Sequence, residues 1–315
     1  MKAATRLLVD NKALIALVIL MAVSASQSDS FLTLDNLLNV LRQTSINAII
    51  AIGVTFVILT AGIDLSVGAV LALTGAFAAA MTASGLAVYL SLPGAIVAGA
   101  ALGALSGLFV AFGRIQAFIV TLVAMTIVRG ATLVFTDGRP ISLGGSAAAD
   151  TFWTLGGGYW LGIPVPIYLM FFLYVVCWAV LHHTRFGRHV YAVGGNEKVA
   201  RLSGINVSAI KISVYAISGA CAALAGIVLT ARLGSAQPNA GLGYELDAIA
   251  AVVIGGTSLM GGRGRLFGTL IGALVIGVLN NALNIMGVSS YYQMIAKGAV
   301  ILLAVLIDSR AKAQH

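Results

Sequence analysis

Long apolar runs, each ended by a charge, a glycine pair or a turn, dominate this chain. They mark ten candidate spans near residues 13–30, 44–61, 65–83, 90–112, 116–136, 165–182, 209–230, 247–260, 266–286 and 291–307. A bilayer core of about 30 Å takes roughly 20 helical residues to cross. The pattern predicts an all-α integral membrane protein of about ten transmembrane helices, with a single transmembrane domain over residues 1–315. Two runs are interrupted, at 62–66 by Gly62-Ile63-Asp64-Leu65-Ser66 and at 255–262 by Gly255-Gly256. Broken helices are expected there, because irregular backbone at membrane depth is tolerated only where protein or a wet cavity satisfies it. Between the first two runs, Phe31, Leu34, Leu37, Leu38 and Leu41 recur at helical spacing. That spacing predicts an amphipathic helix over 31–43, lying along the outer membrane surface.

Composition strengthens the membrane reading. Only 9% of the 315 residues are charged and 60% are apolar, against about 25% charged in soluble domains. An ordinary soluble domain and a disordered chain are both excluded. The two cysteines, Cys177 and Cys221, fall in apolar runs and suggest neither a disulfide framework nor a metal site. The first apolar run follows basic residues, as in a signal peptide, but no small-residue cleavage site stands out. It is read as a retained span.

Charge sets the expected orientation. With ten alternating spans and an inner N-terminus, the inner segments hold Lys2, Arg6, Lys12, Arg114, Arg185, Arg188, Lys198, Arg201, Lys211, Arg263, Arg265, Arg310 and Lys312. The outer segments hold only Arg42, Arg139 and Arg232, while Arg129 and Lys297 fall within spans. This 13 to 3 split is a strong positive-inside bias. Both tails, 1–12 and 308–315, are then cytoplasmic, as is a polar loop at 183–208. The glycine-rich loop at 137–164, with Trp153, Tyr159 and Trp160, is periplasmic. The net charge of +8 is scattered among short loops, so no nucleic-acid surface forms.

A faint internal repeat accompanies these spans. Gly94, Gly103 and Gly113 recur as Gly268, Gly277 and Gly287, each 174 positions on. Ile63-Asp64 and Thr74 resemble Leu246-Asp247 and Thr257 at an offset of 183. Matched spans run in opposite directions, which makes the repeat inverted, a plan common in transporters. The other reading is chance recurrence among glycine-rich spans.

The inner loop carries the most specific sequence. Asn196 is a plausible helix cap, Glu197 lies in the first turn and Gly204 is a stop, giving a two-turn helix. Its mixed charges suit a protein contact, or else a solvated connector. Three strings now coincide: Gly194-Gly195-Asn196-Glu197 with Arg201-Leu202-Ser203-Gly204-Ile205-Asn206-Val207, Val57-Ile58-Leu59-Thr60-Ala61-Gly62-Ile63-Asp64-Leu65-Ser66-Val67-Gly68, and Gly243-Tyr244-Glu245-Leu246-Asp247-Ala248-Ile249-Ala250. Together they resemble the membrane permeases of sugar-importing ABC transporters. Asn280-Asn281-Ala282-Leu283-Asn284 and Gly287-Val288-Ser289-Ser290-Tyr291-Tyr292-Gln293 are similar to the ribose branch of that family. The likeness runs from about residue 12 to Asp308.

The resemblance implies a non-enzymatic, cofactor-free subunit of the bacterial inner membrane that passes a monosaccharide, D-ribose, through a pathway formed by two permease copies in membrane lipid. It implies a periplasmic sugar-binding protein outside and a cytoplasmic ATP-binding subunit inside. The residues agree on one point: the chain has no G-x-x-x-x-G-K-[ST] phosphate loop, and Gly261-Gly262-Arg263-Gly264-Arg265 reads as a basic turn. Candidate ATPase-coupling residues are Asn196, Glu197, Ala200, Arg201, Ser203 and Gly204. Candidate pathway residues are Asp64, Ser66, Asn280, Asn281 and Asn284, with Tyr292 and Gln293 in reserve. Asp64 either caps the third span or lines the path. The asparagines suit a neutral sugar because amides donate and accept without charge; helix–helix hydrogen bonding is the alternative. Gly99-x-x-x-Gly103-x-x-x-Gly107 and Gly268-x-x-x-Gly272 are close-packing faces. The rival mechanism is a proton-coupled secondary sugar carrier, for which only Asp64 and Asp247 offer a buried relay.

Overall fold

A computed structural model describes residues 12–113 and 115–312. Lys2, Arg6 and Arg114, used above for orientation, lie outside the described residues, as do 1–11 and 313–315 of the tails. Thirteen helices are described: α1 (Lys12–Gln27), α2 (Leu34–Leu59), α3 (Val67–Ala83), α4 (Val88–Phe112), α5 (Ala117–Thr136), α6 (Ala147–Gly157) and α7 (Val165–His183), then α8 (Arg185–Gly195), α9 (Glu197–Leu202), α10 (Val207–Leu233), α11 (Tyr244–Ile254), α12 (Leu266–Ile285) and α13 (Ser290–Lys312). Four two-residue strands accompany them: β1 (Ile141–Ser142), β2 (Tyr159–Trp160), β3 (Ile163–Pro164) and β4 (Ser235–Ala236).

Six helices, α2, α4, α5, α7, α10 and α12, are long and apolar enough to cross a membrane. Shorter apolar helices occupy the first and third predicted spans, with 16 residues in α1 and 17 in α3. Each of the ten predicted runs coincides with a helix, but the eighth is only partly helical. Its helix, α11, has 11 residues, about 16 Å and half a bilayer core. The chain then turns: Gly256 has φ +86°, and Thr257 N donates to Val252 O at 3.1 Å. This is a Schellman end, which satisfies the last carbonyls where the helix breaks.

Two expectations need correction. Residues 31–43 do not form a separate surface helix; residues 34–59 are one continuous helix, with Thr33 accepting from Asn36 N at 3.4 Å as its cap. The polar residues that suggest a surface helix find partners on α12, on α2 itself and on the β2–β3 hairpin instead. Asn36 pairs with Asn281, and Arg42 donates to Asn39 Oδ1 at 3.2 Å and Tyr159 Oη at 3.4 Å. The polar loop at 183–208, too, holds two helices rather than one. Val190 and Val193 of α8 are buried, which gives that segment an apolar face to dock.

Helix α10 is the central pillar, packed by α2, α3 and α4. Sixteen of its 27 residues are buried, including Val214, Ser218, Ala222 and Ala225. Helices α4 and α10 touch backbone to backbone: a Cβ on Gly99 would lie 2.6 Å from Gly219 O, and one on Gly107 would lie 2.8 Å from Ile212 Cα. Small residues are required there, as for close helix crossings in lipid. Helix α12 meets α2 in the same antiparallel sense, with Gly277 against Thr44 and Thr269 Oγ1 2.9 Å from Thr55 Oγ1. Both small-residue faces are thus internal contacts, since Gly268 and Gly272 abut α11 at Gly255 and Ala251.

The ends of the bundle differ. At one end lie α8, α9 and the turn at 258–265, with Arg185, Arg188, Lys198, Arg201, Arg263 and Arg265; this is the basic end. At the other, β1 pairs antiparallel with β4, and β2 with β3 through Leu161 and Gly162 at φ +50° and +79°. Successive left-handed residues suit a tight hairpin turn.

Candidate functional site

At the basic end, the short helix α9 is built by its own residues. Asn196 is extended (φ −161°) and its Oδ1 accepts from Val199 N at 3.1 Å. Gly204 (φ +82°) ends the helix, with Ile205 N donating to Ala200 O at 3.1 Å. Ser203 Oγ donates to Val199 O at 2.9 Å. Lys211 Nζ of α10 donates to Glu197 Oε2 at 2.7 Å, and Arg201 Nη2 to Glu197 Oε1 at 3.2 Å. The bond from Lys211, above all, holds the Glu197 carboxyl below the usual carboxylate range, against a smaller opposing effect of burial.

These contacts give the six coupling candidates their places in and around α9. Asn196, Ser203 and Gly204 shape the helix, Glu197 ties it down, and Ala200 is buried beneath it. The Arg201 side chain is more open than that of Glu197, its ion-pair partner. The outward face carries Val199 and Leu202, exposed by 57% and 89%. Sequence reading missed both. The signal was two large apolar residues three apart in a short charged helix, a small patch that nothing among the described residues covers.

The end of α8, which leads into α9, packs on the first helix break, with Gly194 against Leu59 O. Helix α2 ends in a Schellman motif: Gly62 N donates to Val57 O at 3.0 Å and Ala61 N to Ile58 O at 2.9 Å. Ala61 takes the left-handed position (φ +60°) that glycine usually fills. Beyond it, Ile63 O accepts from Thr121 Oγ1 at 3.1 Å and Tyr215 Oη at 3.3 Å. Asp64 is buried, accepting from Ser66 N at 3.0 Å, Ser66 Oγ at 2.6 Å and Ser218 Oγ at 2.7 Å. The break is therefore pinned to α5 and α10. Asp64 is not the cap of α3; Ser66 holds that position and makes no side-chain cap bond. A cavity of about 340 Å³ flanks the break, walled by Thr60, Gly62, Gln116, Phe118, Lys211 and Tyr215 among others; Asp64 and Ser66 lie outside its walls.

The three asparagines of α12 do not converge. Asn281 is buried and exchanges two hydrogen bonds with Asn36. Asn284 is exposed and accepts from Gln293 Nε2 at 2.8 Å. Asn280 is half-buried, and its Oδ1 lacks a protein donor among the described residues. Tyr292 is exposed. Two ionic residues that fall within predicted spans also find partners. Lys297 Nζ lies 2.9 Å from Asp247 Oδ2, and Arg129 Nη1 donates to Pro238 O at 2.8 Å and Ala240 O at 2.9 Å.

Comparison with known proteins complements this geometry. Residues 36–305 match the family described as branched-chain amino acid transport system, permease component. The chain is 60% identical over 304 residues to the ribose import permease protein of Haemophilus influenzae, covering 96% of this chain and 94% of that one. It is 54% identical over 299 residues to the ribose import permease protein of Bacillus subtilis, covering 95% and 92%. It is also similar to the D-allose transport system permease protein of Escherichia coli, at 43% identity over 294 residues, covering 93% and 89%. No solved structure matches the chain.

Proposed function

This chain belongs to the permease-component family of the branched-chain amino acid transport type, and from that membership we propose that it is the membrane subunit of an ATP-driven importer of a monosaccharide, D-ribose. It is a transport subunit of the inner membrane rather than an enzyme, in keeping with the names of its relatives. The observation that carries the sugar assignment is the 54–60% identity to ribose import permeases over nearly the whole chain, against 43% to the D-allose permease.

The finer features follow as parts of the same proposal. Ten spans form one domain: the six long helices, the two shorter apolar ones, the half-helix α11 with its turn, and α13. Both tails and the basic end face the cytoplasm, in line with the positive-inside charge split. Two copies form the pathway in membrane lipid, a periplasmic sugar-binding protein delivers the sugar, and a separate ATP-binding subunit docks on α9. The outward Val199 and Leu202 support that docking site. Asp64, Ser66, Asn280, Asn281 and Asn284 belong to the pathway or to the helix contacts that hold it. The halves α2–α5 and α10–α13 form an inverted repeat. Supporting this, Gly103 of α4 packs on α10 at Gly219, while its counterpart Gly277 packs on α2 at Thr44, the position matching Ser218.

The test is uptake into proteoliposomes holding this chain, its ATP-binding partner and a ribose-binding protein. ATP without an ion gradient is expected to drive ribose accumulation. Accumulation driven by a proton gradient without ATP would reject the reading in favour of a secondary carrier.

A further inference from the structure

Three backbone segments meet at the basic end with no room for a side chain between them. They are the last turn of α2 (Leu59–Ala61), the end of α8 at Gly194, and the turn at 258–264. Gly262 N donates to Leu59 O at 2.9 Å. A Cβ on Gly194 would collide with Leu59 O and lie 2.6 Å from Gly262 N. A Cβ on Gly261 would lie 2.8 Å from Ala61 N and 3.0 Å from Gly194 O. Tyr191 Oη, one turn before the end of α8, donates to Gly264 O at 2.9 Å. Ser258 N donates to Arg263 O at 2.9 Å, which closes the turn on itself.

The place of this knot in the chain gives it meaning. Gly194 lies two residues before Asn196, the cap of α9. Leu59 ends the helix before the first break, and Ala61 begins that break. Gly261 and Gly262 lie in the turn that follows the second break, after α11. One contact thus joins the end of α8, two residues before the cap of α9, to both helix breaks. A contact through long side chains would yield by rotamer changes. Backbone against backbone has no such slack, so a shift of one segment must be passed on.

Resting on the proposed function, we infer that Gly194, packed on Leu59 and Gly262, is the positioning contact through which a displacement of α9 reaches both broken helices. Gly194 does not touch sugar or nucleotide in this account. It sets where the breaks lie when the ATP-binding partner moves α9.

The experiment compares Gly194→Ala with Gly195→Ala in the complete reconstituted complex. A Cβ on Gly195, the next residue, meets open space. Gly194→Ala is expected to lower the ribose moved per ATP hydrolysed by a factor of roughly 2 to 30, the range for substitutions along a coupling route. Capture of the ATP-binding subunit and ATP hydrolysis should stay as in the wild type, which a merely structural defect would not allow. Gly195→Ala should keep the wild-type ratio. A wild-type ratio in Gly194→Ala would overturn the inference and leave the proposed function standing. If the wild-type complex itself moves no ribose with ATP, the proposed function fails first. Should Gly194→Ala not assemble, Tyr191→Phe decides, because it removes only a hydroxyl from the same junction. A reduced ratio with intact ATP hydrolysis supports the inference; an unchanged ratio overturns it.

Discussion

Asn36 and Asn281 face each other across the α2–α12 contact and exchange two amide hydrogen bonds, 3.1 Å from Asn36 Nδ2 and 2.9 Å in return. Each amide satisfies the other where water is scarce. Replacing Asn281 strands Asn36 Oδ1, while Asn36 Nδ2 keeps its 2.8 Å bond to Phe31 O; the loss costs about 1–2 kcal/mol in this setting. Asn281→Leu alone should therefore lower unfolding stability in detergent by that amount. Asn36→Leu with Asn281→Leu should recover most of it. Loss of ribose transport in Asn281→Leu at unchanged stability would show instead that this amide serves the sugar.

Lys297 and Asp247 follow the same logic with charge. They lie 2.9 Å apart between α13 and α11, with side chains 25% and 9% exposed. Removing one partner of a buried pair is costly, about 3–5 kcal/mol, while replacing both is far milder. Lys297→Met should sharply reduce thermal stability, and Asp247→Asn with Lys297→Met should restore most of it. Equal stability of the single and double variants would mean that the pair does not hold the half-helix in place.

The contrast between these pairs and the spans shows what the sequence could and could not tell. The six long apolar helices were legible because lipid demands long apolar runs whatever they pack against. Asn281 gave no hint of its partner, which lies 245 positions away. The extension of α2 was hidden for a related reason. Asn36 looks like a surface residue until α12 supplies its partner. Within α9, the cap and stop residues were legible because capping is local. The outward face was not, because which side of α9 packs inward is set by tertiary contacts such as that of Glu197 with Lys211 of α10.

That tie makes α9 sensitive to acid. The Glu197 carboxyl titrates below its ordinary value of 4.5, chiefly because Lys211 bonds its charged form. A lowered folded value means that the carboxylate's contribution is complete above about 4.5 and disappears as pH falls through the lowered value. Hydrogen exchange at Val199 and Ser203, corrected for intrinsic rates, should be flat from neutral pH down to that point. It should then rise on further acidification. Glu197→Gln should remove the step, and added salt should shrink it in the wild type.

The outward face of α9 gives a variant that separates docking from folding. Leu202 is 89% exposed and supports nothing beneath it, so Leu202→Glu should change stability by no more than about 0.5 kcal/mol. If the ATP-binding partner covers Leu202 and Val199, a charge there strikes the centre of an apolar contact. Losses of about 2 kcal/mol or more are usual at such points, roughly 30-fold in affinity. Reversing Glu197 and Arg201 together should also weaken capture, but by a different route, since Lys211 would then face a like charge at Glu197→Lys and release the helix. Hydrogen exchange at Val199 distinguishes the two: unchanged in Leu202→Glu, faster in the charge reversal. Wild-type capture by Leu202→Glu would move the docking surface off this face of α9.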